Sequence, residues 1–353
     1  MVFRSAEGAA GGGLINMGQF IHTFDNIITI PKLLQAWQEF LRDKKDRKDV
    51  ILFQAKLMDN IFELFNDLKN KTYKHVGYTA FNISDPKPRE IHKAIVRDRL
   101  LHHLICQELF EYFDTKFIHD SYSCRTNKGT HKAINQFRRY FRKVSKNNTR
   151  TCWVLKCDIK KFFANIDNET LKNILAKHIQ DRDILWLLGQ VIDSFYTHND
   201  FKQLLNSVMQ TKGLPLGNIT SQLLVNIYMN EFDQFVKRDL KVKYYIRYAD
   251  DFVILQNDKM LLVETLSKIS TFLSESLNLS LHPDKVFIKT ITSGVDFLGW
   301  VHFPHHRVLR TSTKRRMLKN LEHNQNPEAI QSYLGMLAHG DVYKLRQIVE
   351  SAL

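Results

Sequence analysis

Cysteine is scarce in this chain, and its placement fits neither a metal site nor a disulfide framework. None of the four cysteines stands in a Cys-x-x-Cys pair, the spacing typical of zinc and dithiol redox sites. The four are Cys106, Cys124, Cys152 and Cys157. We therefore expect free thiols in a reducing cytoplasm rather than a secreted, disulfide-linked scaffold.

Long apolar runs are also missing. No segment approaches the roughly 18 consecutive apolar residues of a membrane-spanning helix, so no membrane partner is expected. The N-terminus lacks the basic start and apolar centre of a secretory signal. Residues 1–18, with three successive glycines at 11–13, are instead expected to form a flexible lead.

Acidic residues are outnumbered. The chain has 37 Asp and Glu against 51 Lys and Arg, a formal net charge of +14. Such an excess predicts a polyanionic partner, most simply the phosphates of a nucleic acid, although charge alone leaves open a merely soluble basic protein. With 353 residues the chain exceeds what one core usually organises, so two or three subdomains are expected.

Hydrophobic periodicity predicts helices over 20–68, from Asp98 onward, after the GLPLG turn at 213–217, and from the Asn326-Pro327 cap. Strands are predicted around two prolines within 81–91, over 153–155, on both sides of 249–251, and over 295–301. This mixture predicts an α+β fold.

Acidic residues stand at two of these strand ends, Asp158 after one apolar run and Asp250-Asp251 between two others. Carboxylates brought within ~4 Å repel by ~4 kcal/mol at an effective dielectric of 20, so a shared site needs a cation. Carboxylate oxygens favour Mg²⁺ or Mn²⁺ over zinc, and two such ions can activate a hydroxyl and stabilise a leaving pyrophosphate. An Asp-Asp pair serving only a turn is the simpler alternative for that pair taken alone.

The neighbouring blocks decide between these alternatives. DIKKFF at 158–163, GLPLGNITSQ at 213–222 and YADD at 248–251 occur in that order, followed by HPDK at 282–285 and VDFLGW at 295–300. KPREI at 87–91 and DSYSCR at 120–125 precede them. In these blocks the chain resembles the reverse transcriptases, over roughly residues 80 to 345.

The resemblance implies an RNA-directed DNA polymerase that copies a template RNA from a DNA or RNA primer with deoxynucleoside triphosphates. It implies a right-hand architecture of fingers, a palm with an antiparallel sheet, and a short helical thumb. The expected divisions are fingers with part of the palm over 19–150, palm with inserted finger helices over 151–303, and thumb over 304–353.

Carried over by position, the resemblance assigns catalysis to Asp158, Asp250 and Asp251. Two Mg²⁺ ions, replaceable by Mn²⁺, would be held by these carboxylates and the Ile159 carbonyl. Lys285 is expected to protonate the departing pyrophosphate.

Other positions are implied to contact substrates. Lys87 and Arg89 would hold the triphosphate, and Phe163 would exclude a ribose 2′-hydroxyl. Further nucleotide contacts are implied for Leu216, Gly217 and Gln222. Contacts to nucleic acid are implied for Arg125, Gly299 and Trp300. Solvated surface charges and plain core packing are the alternatives for these residues.

The block around Leu216 departs from the commonest family form, in which Gln precedes the glycine and Pro follows the serine. Here Leu216 and Gln222 take those places, which is similar to the reverse transcriptases of diversity-generating retroelements. That resemblance implies a prokaryotic or phage-encoded protein, frequent errors at template adenines, and a basic accessory protein oligomer as partner. The chain ends soon after a short thumb, and from this we expect no RNase H, maturase or nuclease domain.

Other readings stay open from sequence. Retron, group II-like and phage-defence reverse transcriptases share much of the pattern. A non-catalytic RNA-binding scaffold with a polymerase fold belongs to another class, and its mark would be loss of the acid at 158 or 250. A metal-dependent nuclease would also cluster acids, but it would not explain the other blocks together.

Overall fold

The computed structural model of the protein describes residues 18–84, 88–195, 212–323 and 326–351. The predicted N-terminal lead up to residue 17, and Lys87, lie outside these ranges.

The N-terminal region predicted to be helical forms four successive helices. They are α1 (Phe24–Ile27), α2 (Ile30–Leu41), α3 (Lys48–Ala55) and α4 (Leu57–Lys69). Thr29 caps α2, its hydroxyl accepting the N–H of Lys32 at 3.4 Å. Leu33, Trp37 and Phe40, spaced at four and three residues, form the buried face of this helix.

Nine further helices follow in the described part of the chain. They are α5 (Val96–Asp114), α6 (Thr130–Val144), α7 (Asn168–His178), α8 (Arg182–Ile192), α9 (Ile219–Gln234), α10 (Lys259–Leu277), α11 (Thr311–His323), α12 (Pro327–Leu337) and α13 (Tyr343–Glu350). The predicted cap of α12 is confirmed, since the Asn326 side chain accepts the N–H of Glu328 at 3.0 Å and Pro327 occupies the first turn. No helix in the described ranges is long and apolar enough to span a bilayer.

All three sheets of the described chain are antiparallel. Their strands are β1 (Tyr78–Ile83), β2 (Arg89–Ala94), β3 (Trp153–Asp158), β4 (Tyr245–Tyr248), β5 (Asp251–Gln256), β6 (Phe287–Thr290), β7 (Val295–Phe297), β8 (Trp300–His302) and β9 (Arg307–Leu309). β1 and β2 form a hairpin, β4-β5-β3-β6 form the central sheet in that order, and β7-β8-β9 form a third sheet.

The central sheet is buried on both faces, because successive residues of a strand point to opposite sides. Leu155 and Ile254 belong to a core shared with the N-terminal helices and with α7 to α10. Val154 and Val253, their neighbours along the same strands, belong to a second core shared with α6, the third sheet and the C-terminal helices. Helices and the third sheet therefore pack on the two faces of the central sheet, whose strand ends carry the predicted acids.

The prediction of a single strand over 295–301 is wrong. The segment forms two strands, β7 and β8, joined by a two-residue turn in which Leu298 and Gly299 adopt φ of +51° and +86°. Two positive φ values are typical of the turns whose twist suits a tight hairpin. An apolar leucine gave no sign of this left-handed conformation, which is why the turn was missed.

Candidate active site

The predicted acids come together at one end of the central sheet. Asp158, the last residue of β3, pairs with Asp251, the first residue of β5. Tyr248 also pairs with Asp251, so Ala249 and Asp250 form a two-residue turn, with Ala249 at φ +54°. The Ile159 N–H donates to the Asp250 carbonyl at 3.2 Å and ties the turn to the end of β3.

The pKa values of two of the acids at this end of the central sheet are raised. Burial, and then the negative charge of Asp158, raise the pKa of Asp250, against which Lys285 and Arg89 act. Burial raises the pKa of Asp251 to about 7, with Lys156 opposing the shift and Asp250 adding to it. Oδ1 of Asp251 is buried and finds no hydrogen-bond partner in the described part of the chain.

Two lysines pair with two of the three acids. The Lys285 ammonium lies 3.0 Å from Oδ1 of Asp158, and Lys156 lies 3.4 Å from Oδ2 of Asp251. Lys285 belongs to a 3-10 turn that follows His282, whose N–H donates to the Asp158 carbonyl at 2.8 Å. Lys156 was not predicted. Its signal was a lysine inside an otherwise apolar strand, two residues before Asp158.

The residues fit a divalent cation in their chemistry. The acids offer hard oxygen donors, the charge of Asp158 opposes the ionisation of Asp250, and one buried oxygen of Asp251 has no hydrogen-bond partner among the described residues. In the described residues, no group of three or more His, Cys, Asp or Glu side chains converges closely enough to enclose an ion. In this arrangement Lys285 pairs with Asp158 and Lys156 pairs with Asp251.

The predicted nucleotide contacts gather on a loop beside the acids. The segment before α9 is held to the 3-10 turn after β3, because Leu214 N–H donates to the Phe163 carbonyl at 2.8 Å. It is also held to β2, because His92 N–H donates to the Leu216 carbonyl at 2.9 Å. The loop therefore brings Phe163 and Leu216 to the base of the β1–β2 hairpin.

Gly217 is required by this close approach. Its φ is +103°, and a Cβ there would lie 2.6 Å from Cγ2 of Ile91 in β2. Gln222 is partly exposed in the first turns of α9, and Phe163 is partly buried against the first core. Arg89 opens β2 as an exposed residue whose charge acts on Asp250. The structure thus brings Arg89, Phe163, Leu216 and Gly217 into one region with the acids.

Two residues predicted to contact nucleic acid are turned inward. The Arg125 side chain pairs with Asp114 at 2.5 Å and donates to the Ile118 carbonyl at 2.7 Å, with 7% of the residue exposed. Trp300 is 2% exposed, and a Cβ on Gly340 would lie 1.9 Å from its indole ring. Their surroundings give no support to direct contact with nucleic acid. The sequence did not show this because the partners are distant in the chain.

Gly299 is placed differently. It lies in the β7–β8 turn, and no atom of the described residues lies within 4 Å of a Cβ built on it. Its carbonyl accepts the N–H of Arg310 at 2.9 Å, which joins the turn to the start of α11.

A buried charged network behind the Ala249-Asp250 turn was also missed. Arg247 and Asp233 are both fully buried and are joined by two hydrogen bonds of 2.8 and 2.7 Å. Arg247 also donates to the Ala249 carbonyl at 3.1 Å, and Tyr245 donates to Asp233 at 2.7 Å. The arginine before the YADD block was the only sequence signal, and nothing marked Asp233 as its partner.

An antiparallel sheet with acids on two adjacent strand ends, beside a hairpin that carries Arg89 and a loop that carries Gly217, is typical of one class of protein, the nucleotidyl-transferring polymerases. Residues 84–302 match the family described as "Reverse transcriptase (RNA-dependent DNA polymerase)". The chain belongs to this family and has its right-hand polymerase fold.

Curated relatives are similar at low identity. Protein YkfC of Escherichia coli is 25% identical over an alignment of 297 residues, and the match covers 74% of this chain and 74% of YkfC. The group II intron-encoded protein LtrA of Lactococcus lactis is 28% identical over 189 residues, 53% of this chain and 29% of LtrA. Among solved structures, telomerase from Candida albicans in complex with a telomeric RNA fragment matches with a TM-score of 0.48 and 12% identity, covering 75% of this chain and 51% of that chain.

Proposed function

We propose that this protein synthesises complementary DNA on an RNA template by two-metal nucleotidyl transfer at Asp158, Asp250 and Asp251. The observation that carries the proposal is the convergence of these acids with Arg89 in a chain that belongs to the reverse transcriptase family. The proposed fingers, palm and thumb are 19–150, 151–303 and 304–353. The free cysteines support work in a reducing cytoplasm.

Asp158 and Asp250 would hold the ions, with the Ile159 carbonyl as a further ligand and Asp251 in support. Bound magnesium would supply Lewis acidity, favouring the attacking 3′-hydroxylate and the leaving pyrophosphate. Arg89 binds the triphosphate through its guanidinium, whose fork suits phosphate oxygens. Lys87 is proposed to add a point charge there.

Three other side chains have proposed roles around the nucleotide. Lys285 holds a proton at Nζ that it can give to the departing pyrophosphate. Phe163 fills the space that a ribose 2′-hydroxyl would need, and the loop of Leu216 and Gly217 bounds the nascent base pair. Gln222, in the first turns of α9, borders the same pocket.

The finer assignment is to a diversity-generating retroelement, with a basic accessory protein oligomer as partner. Its support is the leucine at 216 and the glutamine at 222, in place of the commonest family residues. A group II-like enzyme is the second candidate, favoured by the similarity to LtrA. Near-identical DNA repeats beside the gene, differing where one carries adenine, would favour the first and are not expected for the second.

Asp250→Asn tests the chemistry. It keeps the side-chain volume but removes the charge that an ion needs, so primer extension in Mg²⁺ should fall by at least about 10³-fold, equivalent to ~4 kcal/mol. RNA binding should stay close to that of wild type, because the carboxylate holds ions rather than template. Asp296→Asn, outside the acid cluster, is the matched control and should extend normally. Extension by Asp250→Asn at the wild-type rate would refute the assignment.

A further inference from the structure

Most of the net positive charge of this protein lies in one segment. Residues 121–157 contain ten lysines and arginines and no aspartate or glutamate, so this segment carries +10 of the net +14. The ten are Arg125, Lys128, Lys132, Arg138, Arg139, Arg142, Lys143, Lys146, Arg150 and Lys156. The segment contains α6, its following turn and most of β3.

α6 has one buried and one charged face. Its inner side packs into the second core, where Phe137 lies 5.5 Å from Phe297 and 4.6 Å from His302 between ring centroids. At 100° per residue, Lys132, Arg139, Arg142 and Lys143 fall within an arc of about 100° on the opposite side. All four are exposed, as are Lys146 and Arg150 in the turn that follows. We call these six residues the α6 basic stripe.

The positive charges of the stripe are not paired with acidic side chains of the described residues. None of its six side chains forms an ion pair with a described residue. Like charges three or four residues apart, such as Arg139 with Arg142 and Lys143, each destabilise a helix by about 0.2–0.5 kcal/mol. α10, on the same central sheet, carries Glu264 and Glu275 besides its lysines. An external anion would reduce the repulsion among the lysines and arginines of α6, which no described acidic side chain pairs with.

The stripe runs along the palm away from the acids. α6 begins beside the catalytic turn, where the Thr130 hydroxyl lies 3.3 Å from the Tyr248 hydroxyl. It ends near the start of β3, at the opposite end of the strand from Asp158. From Lys132 to Lys143 the helix rises about 16 Å, several times the spacing of phosphates along a nucleic-acid strand.

The chemistry of the stripe favours nucleic acid over protein. Protein interfaces depend on a buried core enriched in aromatic side chains and depleted of charge. No large hydrophobic residue is exposed anywhere in the described segment 121–157. Arginine and lysine without apolar neighbours suit a run of phosphates, which they contact regardless of base sequence.

We propose that the α6 basic stripe is a second RNA-binding surface, outside the catalytic cleft, which holds the phosphate backbone of structured template RNA. The proposal rests on the RNA-templated function above and adds a place where the RNA body is anchored. It implies that the stripe sets the affinity for long RNA and leaves the chemistry at the primer end alone.

The test compares two variants that each remove four positive charges. The stripe variant is Arg139→Gln, Arg142→Gln, Lys143→Gln and Lys146→Gln. The control variant changes four exposed lysines elsewhere to Gln, at Lys177, Lys241, Lys259 and Lys268. Affinity for a long structured RNA is measured against salt concentration, and extension is measured on a short primer–template at saturating concentration.

The stripe variant should bind long RNA more weakly, with a slope of log affinity against log salt shallower by about 3, from 0.7–0.9 per lost contact. The control variant should keep nearly the wild-type slope, and both should extend the short primer–template normally. Equal slope changes in the two variants would refute the proposal. Loss of short-template extension in the folded stripe variant would place the stripe in the catalytic cleft and equally overturn it.

An acidic protein partner has its own outcome. Polyglutamate competing with labelled RNA as effectively as unlabelled RNA does would assign the stripe to such a partner and refute the proposal. Failure of the proposed function is separate, because it would appear as wild-type protein that does not extend the short primer–template at all.

Discussion

Replacing Arg247 by methionine removes a buried cation while keeping much of the side-chain volume. The guanidinium and the Asp233 carboxylate are both inaccessible to solvent and share two hydrogen bonds. After the substitution Asp233 keeps the Tyr245 hydroxyl at 2.7 Å as a donor, and the Ala249 carbonyl loses its 3.1 Å contact. The variant therefore leaves the Asp233 charge uncompensated behind the Ala249-Asp250 turn.

The expected loss is large because breaking a buried ion pair from one side costs about 3–5 kcal/mol. Arg346→Met is the matched control. Arg346 pairs with Glu350, but the two side chains are 55% and 45% exposed, and an exposed pair contributes at most about 1 kcal/mol. Both changes remove an arginine from an ion pair, one buried and one exposed.

Urea denaturation measures the difference. With a slope of about 1–3 kcal/mol per molar, Arg247→Met should lower the midpoint by about 1 M or more. Adding Asp233→Leu should recover part of the loss, because it removes the stranded charge and a buried pair can be replaced by apolar residues at little cost. A loss below about 1 kcal/mol for Arg247→Met, or a double variant less stable than the single one, would refute this reasoning.

Three further predictions concern the nucleotide pocket. Phe163→Val should admit ribonucleotides by removing the bulk that excludes a 2′-hydroxyl, and a soluble variant that still rejects them in primer extension would make Phe163 a core residue only. Leu216→Gln should lower errors opposite template adenine at a comparable extension rate, since one hydrogen bond of ~1.4 kcal/mol changes the error ratio tenfold. Sequenced products with an unchanged error spectrum would remove Leu216 from the argument. Gly217→Ala should destabilise the protein by more than about 1 kcal/mol and raise the KM for nucleotide, because Gly217 has a φ of +103° and a Cβ there would lie 2.6 Å from Ile91. Gly189→Ala is the control, since no described atom lies within 4 Å of a Cβ at that position, and it should not destabilise the protein in the same thermal melt.

The sequence predicted those parts of the site that depend on local pattern. An apolar run ending in an acid located Asp158, and two such runs around a short acidic centre located the Asp250 turn. Both follow from the alternation of side chains along a strand and from the residues that turns require.

The rest depends on contacts between distant segments. Arg125 and Trp300 carry the side chains expected at a nucleic-acid surface, but Asp114 and Gly340 hold them inward. Lys156 contacts Asp251 and Arg247 contacts the Ala249 carbonyl only because the strands pair, which the sequence does not show. The hairpin at Leu298 depends on a left-handed backbone that leucine rarely adopts, so no sequence pattern indicated it.

The double-sided burial of the central sheet bears on how the molecule opens and closes. A strand packed between two dense cores cannot shift without disturbing both cores. The strand ends that carry the acids are therefore held rigidly in place. The β1–β2 hairpin is built differently, with four successive exposed residues in β1 and two exposed residues at the start of β2. Elements with few buried contacts open most easily, so the motion that admits a nucleotide and releases pyrophosphate should arise in this hairpin while the acids stay in place.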